Sequence, residues 1–227
     1  MSNDPLREAH ILRSWNSNAA AWTAAVRQGE IASRRLTTDQ AIVTAILDHS
    51  PHRVLDIGCG EGWLARELAR HSIEVIGIDA TAALIEAARQ AGGADFRLLD
   101  YAQLASGALG LQVDMAVANF SLLGHESVEK LFSTLPALLH ENGLFIVQTL
   151  HPLRVSAEAA YRDGWRNGSW QGFSSVFTDP SDWYFRTVQS WIQLFICNGF
   201  RLIELREPLD PRSQQPASLI LIGQSGA

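Results

Sequence analysis

The sequence has only two cysteines among its 227 residues, and it contains no long apolar run. Cys59 and Cys197 are too few for a disulfide framework, and neither they nor His49 and His52 have the spacing of a zinc site. No apolar run approaches the roughly 20 residues of a membrane-spanning helix, and the first four residues lack the order of a signal peptide. We therefore expect no bound metal, no membrane partner and a cytoplasmic location.

Basic residues are also scarce, with 18 Lys and Arg against 24 Asp and Glu, which gives a net charge of −6. Binding to a nucleic-acid backbone depends on clustered Lys and Arg, whereas Arg34 and Arg35 form the only notable basic pair here. We therefore expect no nucleic-acid partner, and the oligomeric state stays open. Apolar residues make up 47% of the chain, and its length fits one domain, residues 1–227.

Short apolar runs alternate with helical patterns from residue 53 onward, which is typical of a parallel sheet wound through crossover helices. The seven predicted strands are 53–57, 74–78, 96–99, 113–120, 144–150, 202–206 and 218–222. The predicted helices between them are 62–70, 82–91, 128–139 and 184–197. Tyr184, Val188, Trp191 and Phe195 lie on one face of the last helix. The sequence thus predicts an α/β fold.

The first 50 residues are predicted to form an N-terminal helical cap. Residues 8–35 have a helical pattern that carries Trp15 and Trp22, and these indoles belong either to the core or to a binding pocket. Thr37 and Gln40 have the spacing of a capping box, which predicts that a further helix begins there and continues over residues 41–47.

The most informative stretch joins the first strand to a glycine-rich turn, Asp56-Ile57-Gly58-Cys59-Gly60. Gly58 and Gly60 let the backbone turn tightly and approach a ligand without a Cβ in the way. Asp79 ends the second strand about 20 residues later, where nucleotide-binding α/β folds place a carboxylate that accepts hydrogen bonds from a ribose. The ligand is therefore expected to contain a ribose.

A dinucleotide-binding dehydrogenase is the first alternative for such a turn. Its fingerprint has Gly or Ala at the position of Trp63, and Asp56 would bring a carboxylate close to a pyrophosphate. A ligand that lacks phosphate and carries positive charge fits Asp56 better. S-adenosylmethionine, with its ammonium and sulfonium groups, has both properties.

The segment around Asp56 resembles the D-x-G-x-G signature of class I, Rossmann-like S-adenosylmethionine-dependent methyltransferases of the small-molecule type. The resemblance implies a seven-stranded, mostly parallel sheet with helices on both faces and an antiparallel last strand. It also implies S-adenosylmethionine as cofactor and a small-molecule methyl acceptor as partner. The cofactor-binding residues it implies are Asp56, Gly58, Cys59, Gly60, Asp79, Ala80, Asp100, Tyr101, Asn119 and Phe120.

Two other activities are compatible with parts of this pattern. Nucleic-acid amino-methyltransferases carry an Asn/Asp-Pro-Pro-aromatic motif after the fourth strand, and this chain has Asn119-Phe120-Ser121-Leu122 instead. A non-catalytic S-adenosylmethionine-binding regulatory module is the alternative that stays open.

A long segment between the fifth strand and the last helix is rich in aromatic residues, and we expect it to cover the substrate. The predicted parts of the domain are the cap 1–50, a cofactor-binding half 51–150, this cover 151–183, and the last helix with a C-terminal hairpin 184–227. The residues assigned to the substrate cover are Trp22, Tyr161, Trp165, Trp170 and Phe173. The alternative is a small satellite core beneath a long loop.

His151 directly follows the fifth strand, at the edge where open α/β sheets bind ligands. An imidazole there is the expected catalytic base for a hydroxyl acceptor. The alternative is that His151 only shapes the turn, and the next candidates for the base are His125 and Tyr161.

Overall fold

A seven-stranded sheet forms the centre of the computed structural model, which describes residues 4–155 and 160–226. Its strands are β1 (Arg53–Ile57), β2 (Glu74–Asp79), β3 (Asp95–Leu98), β4 (Val113–Asn119), β5 (Leu139–Leu150), β8 (Phe200–Arg206) and β9 (Ser218–Ser225). The strand order is β3-β2-β1-β4-β5-β9-β8, with β9 antiparallel to both of its neighbours. The mostly parallel sheet, its antiparallel last strand and the C-terminal hairpin are confirmed.

Helices pack on both faces of the sheet, as predicted. They are α1 (Asp4–Arg27), α2 (Asp39–Leu47), α3 (Trp63–Ala69), α4 (Ala82–Ala91), α5 (Tyr101–Ala105), α6 (Glu126–Leu138), α7 (Pro152–Val155) and α8 (Val188–Cys197). One buried cluster joins the sheet to α6 and α8 through Phe132 and Phe195. The other joins it to α2 and α3 through Ile46 and Leu68. No helix in the described part of the chain has the length and apolarity to cross a membrane.

The predicted helix 184–197 begins too early. Residues Trp183–Phe185 form β7, which pairs with β6 (Gly164–Arg166) as a separate two-stranded sheet. Thr187 caps α8 because its hydroxyl accepts the Ser190 N–H at 3.1 Å, so the helix begins at Val188. Tyr184 therefore lies on a strand, and the apolar spacing that joined it to the helix was misleading.

The N-terminal cap also differs from its prediction. The first helix ends at Arg27 and not near residue 35, because Gly29 turns the chain with φ +66°. A π-helical turn, Arg34–Thr38, then leads directly into α2. The Thr37–Gln40 capping box is wrong: the Thr37 hydroxyl donates to the Leu209 carbonyl, and the Gln40 side chain donates to the Thr44 hydroxyl.

Three short stretches lie outside the described residues: 1–3 of the predicted cap, 156–159 of the predicted cover, and residue 227.

Candidate functional site

A cavity of about 770 Å³ opens at the carboxyl edge of the sheet, where the ends of β1, β2 and β4 meet. The strand order reverses at β1, and open α/β sheets bind ligands at such a switch point. The volume lies within the roughly 300–1,000 Å³ typical of small-molecule sites. The fold therefore places a ligand site where the glycine turn was expected to bind one.

Main-chain hydrogen bonds to the neighbouring strand fix the glycine turn. The Gly58 and Cys59 N–H groups both donate to the Ile78 carbonyl, at 2.8 and 2.9 Å. Gly58 and Gly60 have φ angles of +73° and +59°, which glycine adopts without strain. A Cβ on Gly58 would lie 2.3 Å from the Ser121 Cβ, so this glycine is required by packing.

Gly60 differs from Gly58 because a Cβ there would enter open space on the cavity wall. The nearest atom would be the Trp22 Nε1, at an ordinary contact distance of 3.7 Å. Gly60 is therefore the glycine at which an added side chain would compete directly with a bound ligand.

Asp79 lies at the end of β2 on the cavity wall, next to Ala80. Its Oδ2 accepts the Gly60 N–H at 3.0 Å, and its Oδ1 accepts the Thr81 N–H at 2.7 Å. Burial raises the pKa of the Asp79 carboxyl, and the bonds from Thr81 and Gly60 oppose that rise. Each oxygen keeps acceptor capacity for a ligand hydroxyl.

Two buried acceptors near the turn have no hydrogen-bond partner within the described residues: Asp56 Oδ2 and Asn119 Oδ1. Asp56 is 1% exposed, and burial, followed by the charge of Asp79, raises its pKa to about 7. Asn119 lines the cavity, but Asp56 does not. Asp56 is thus positioned to act on a ligand through its charge, and the wall does not offer it a direct contact.

The remaining predicted cofactor residues also line the cavity. Asp100 caps α5 by accepting the Gln103 N–H at 2.7 Å, so it has a clear structural task as well. The Tyr101 hydroxyl donates to the Ser121 carbonyl at 3.1 Å, and burial raises the pKa of its phenol. Phe120 has φ +55° and donates its N–H to the Gln148 carbonyl. Burial also raises the pKa of the Cys59 thiol, which disfavours a reactive thiolate.

The aromatic residues predicted to cover the substrate fall into two groups. Trp22, Trp170 and Phe173 line the cavity, and the ring centroid of Trp15 lies 5.1 Å from that of Trp22 and 5.9 Å from that of Trp170. We call these four residues the aromatic end of the cavity.

Tyr161 and Trp165 are not among the residues that line the cavity. The Tyr161 hydroxyl accepts the Val188 N–H at 2.9 Å at the start of α8. The Trp165 indole donates to Asp4 Oδ1 at 2.8 Å and so ties β6 to α1. These hydrogen bonds give both residues a structural role in joining segments, and their assignment to the substrate cover stays a prediction.

His151 lies away from the cavity wall and is 1% exposed. Its Nε2 is 2.8 Å from Glu207 Oε1, and its carbonyl accepts the Arg154 N–H at the start of α7. This position matches the alternative in which His151 shapes the turn, and it does not bring the ring to a ligand. His125 is also off the wall, between Asp4 and Glu129.

Four charged residues of the cavity wall are not among the site residues predicted from the sequence: Glu8, Arg34, Glu61 and Arg186. Glu8 Oε1 accepts the N–H groups of His125 and Ser127, at 2.8 and 3.1 Å, and so caps α6 from a distant helix. These contacts join residues far apart in the chain, which no local motif reveals. For Arg186 the sequence offers one indication of a place in the site, because the residue directly follows the aromatic run Trp183-Tyr184-Phe185.

Glu61 directly follows the glycine turn and is buried between two arginines. Its carboxylate pairs with Arg27 Nε at 3.0 Å and with Arg66 at 2.6 Å. Next to it, Trp63 lies under the guanidinium of Arg34, 4.6 Å from the ring centroid. Trp63, the residue that departs from the dinucleotide fingerprint, also lines the cavity.

Comparison with known proteins identifies the family. A family model described as a methyltransferase domain matches residues 29–205. The malonyl-(acyl-carrier protein) O-methyltransferase of Legionella pneumophila is 30% identical over 136 residues, which cover 55% of this chain and 44% of that protein. The ubiquinone biosynthesis O-methyltransferase of Brucella ovis is 37% identical over 103 residues, which cover 44% and 41%. The chain thus spans less than half the length of these relatives.

A solved structure shows the same fold over the whole chain. The 1,6-didemethyltoxoflavin-N1-methyltransferase of Burkholderia thailandensis, with 1,6-didemethyltoxoflavin and S-adenosylhomocysteine bound, matches 100% of this chain and 92% of its own. The TM-score is 0.69 and the sequence identity is 16%.

Proposed function

Because the chain belongs to the methyltransferase domain family, we propose that it is an enzyme that transfers the methyl group of S-adenosylmethionine to a small-molecule acceptor. One observation carries the proposal: the glycine turn, Asp79 and Asp100 line the same cavity as the aromatic end. Cofactor and acceptor would therefore meet in one space, as an aligned transfer requires. The S-adenosylhomocysteine in the Burkholderia enzyme, which shares the fold, supports this cofactor.

The residues of the cofactor end fit such a ligand. By this end we mean Gly58, Gly60, Asp79, Asp100 and Asn119. Asp79 keeps acceptor capacity for the ribose hydroxyls, and the unpartnered Asn119 oxygen can accept from an ammonium group. In its ionised form Asp56 adds negative charge behind the turn, and a cationic ligand favours that form whereas a phosphate opposes it. We therefore assign cofactor binding to this end and acceptor binding to the aromatic end.

The chemistry asks little of the protein beyond alignment. Bound S-adenosylmethionine supplies a methyl group that its sulfonium already activates. An acceptor lone pair would take that methyl group, and the electrons of the carbon–sulfur bond would remain on sulfur. The chain's own part is to hold the acceptor in line and exclude water, for which the indoles of Trp15, Trp22 and Trp170 are suited.

A general base is needed only for an acceptor atom that carries a proton. His151 is poorly placed for that task, because it is off the wall and paired with Glu207. We therefore propose catalysis mainly by alignment. A cytoplasmic location is part of the proposal, since both cysteines are free thiols, as is usual in reducing compartments.

The test has two stages. Calorimetry with S-adenosylmethionine and S-adenosylhomocysteine measures cofactor binding. Incubation with methyl-labelled S-adenosylmethionine and an extract of small metabolites, followed by mass spectrometry, then identifies any labelled product. The Gly60→Val variant serves as the control that should not bind.

We expect both cofactor binding and a labelled small molecule. Tight binding without any labelled product from a broad extract would favour the non-catalytic binding module instead. Absence of cofactor binding would contradict both readings of the site.

A further inference from the structure

We propose that the acceptor carries a carboxylate, or a similar planar anion, which the guanidinium of Arg186 binds on the wall of the cavity. The inference rests on the proposed function and adds the chemical class of the acceptor. It starts from a charge that the fold buries on the cavity wall without a counter-ion.

Arg186 is 4% exposed and lines the cavity. Its Nη1 donates to the Gly124 carbonyl at 2.9 Å, and its Nη2 donates to the His125 carbonyl at 3.0 Å. A guanidinium has five N–H donors, so these two bonds leave donors unused. The ion pairs among the described residues, with an N–O limit of 4.0 Å, include none to Arg186. Burial lowers the pKa of Arg186, which reflects the cost of keeping this cation out of water.

The other cation on the wall is already neutralised. Arg34 pairs with Asp39 at 2.9 Å. The acidic groups on the wall also have partners: Glu61 has two arginines, and Asp79 accepts two N–H groups. Arg186 is therefore the cation on the wall that has no ion-pair partner. A ligand anion would be its first direct counter-ion.

The charged groups around Arg186 do not replace such a partner. Glu129, Asp163 and Glu8 act on it electrostatically without forming an ion pair. The Tyr184 phenol is uncharged near neutral pH, because burial raises its pKa. Glu8, the member of this group on the cavity wall that carries a carboxylate, has one oxygen committed to two N–H groups at the start of α6. The charges of these groups offset part of the cost of burying the Arg186 cation. They do not occupy the N–H donors that its two backbone hydrogen bonds leave unused.

The aromatic surroundings hold the guanidinium in place and suggest the shape of the acceptor. Its central carbon lies 4.8 Å from the ring centroid of Tyr184 and 5.2 Å from that of Trp191, and both rings line the cavity. A fixed guanidinium binds a carboxylate with two parallel hydrogen bonds. Trp170 and Phe173 offer flat apolar surface in the same cavity. The geometry points to a flat, apolar acid.

Equilibrium binding tests this without any turnover. The wild-type protein is first saturated with S-adenosylhomocysteine and then titrated with benzoate, cinnamate, 2-naphthoate and indole-3-acetate, each paired with its carboxamide. The acid and the amide have nearly the same shape, so their affinity ratio reports the charge. We expect at least one acid to bind about tenfold or more tightly than its amide.

The Arg186→Gln variant should lose this preference, whereas the Arg7→Gln variant should keep it. Arg7 is a matched control because it pairs with Asp182 and does not line the cavity. Arg186→Lys keeps the positive charge without the planar guanidinium, so it should retain part of the preference for the acid over its amide. It also serves as the variant to measure if Arg186→Gln does not fold.

Two results would overturn the inference. In one, no acid of the panel binds more tightly than its amide to the saturated wild type. In the other, an acid preference is unchanged in Arg186→Gln or, where that variant does not fold, in Arg186→Lys. Both leave the proposed function standing, because S-adenosylhomocysteine binding is measured first. Failure at that earlier step would instead count against the proposed function.

Discussion

The cofactor end and the aromatic end of the cavity are held together by different kinds of contact. At the cofactor end the main chain supplies the contacts, as where Gly58 and Cys59 both donate to the Ile78 carbonyl. At the aromatic end, side chains of α1 bind the backbone of a segment that is far away in the sequence. Asn18 exchanges hydrogen bonds with the backbone of Thr178, at 2.8 and 2.9 Å, and the Ser14 hydroxyl donates to the Asp179 carbonyl.

This difference shows which part of the site is free to change. Main-chain geometry at the carboxyl edge of a parallel sheet tolerates few substitutions, whereas loops and helices above it are remodelled more easily. A family can thus keep one cofactor and accept many substrates. We expect substitutions at the cofactor end to weaken cofactor binding and those at the aromatic end to change which acceptor binds.

The largest effect should come from Gly60→Val. The new side chain enters the cavity, and valine is strained at φ +59°, so cofactor affinity should fall roughly 100-fold or more. Calorimetry measures the affinity, and circular dichroism confirms that the variant folds. Gly107→Val is the matched control, because Gly107 also has positive φ but does not line the cavity. An unchanged dissociation constant for Gly60→Val would refute the assignment of the turn.

Asp79→Ala should have the next largest effect. Ribose hydroxyls lose a charged acceptor, which weakens S-adenosylmethionine binding by about 1–3 kcal/mol. Asp95→Ala, at an exposed carboxylate that pairs with Arg97, is the control and should leave binding unchanged. Equal affinities of the two variants for the cofactor would contradict the role of Asp79.

The pH dependence of Asp56 tests whether its charge contributes to binding. Burial raises its pKa from 3.8 to about 7, so the folded state holds a proton that the unfolded state has released. The free energy of unfolding should therefore fall as pH rises from about 4 to about 7, and Asp56→Asn should flatten that part of the profile. A cationic ligand favours the ionised carboxylate, so S-adenosylmethionine affinity should increase as pH rises through about 7. Calorimetry from pH 6 to pH 8 that shows the same profile for wild type and Asp56→Asn would exclude this coupling.

Hydrogen exchange can separate the two groups of cover residues. Cofactor and acceptor together should slow amide exchange around Trp170 and Phe173, which line the cavity. Exchange at Trp165 should change less, because its indole is bound to Asp4 and it does not line the cavity. Equal protection at both positions, or none at either, would contradict the division of the cover.

The smallest effect is expected for His151→Gln. The ring is off the wall and paired with Glu207, so single-turnover methyl transfer should change less than about threefold. His49→Gln is the control, because it removes an imidazole that also does not line the cavity. A loss of roughly two orders of magnitude in His151→Gln alone would restore this residue as the catalytic base.

The sequence predicted the cofactor end well because its residues follow strands directly. Gly58, Gly60 and Asp79 line the cavity as expected, since a strand that is recognised also locates the residue after it. Asp56 shows the limit of this reasoning. The pattern correctly marked a carboxylate near the turn, but only packing decides that the side chain lies behind the wall.

The aromatic end was predicted only in part. Trp22 and Trp170 line the cavity, yet the same composition pointed equally to Tyr161 and Trp165, whose polar groups join other segments to α8 and α1. Arg186 was missed because its task depends on carbonyls of Gly124 and His125, which lie far away in the sequence. Contacts of this kind follow from the assembled fold and have no local periodicity.

The position of β9 has a consequence for how the chain folds during synthesis. Of the described strands it is translated last, yet it lies inside the sheet between β5 and β8. Until Ser218–Ser225 has left the ribosome, one edge of β5 stays open, and β8 has no partner in the sheet. Nascent chains that stall before this strand would therefore expose two unpaired strand edges, which are sites where aggregation begins.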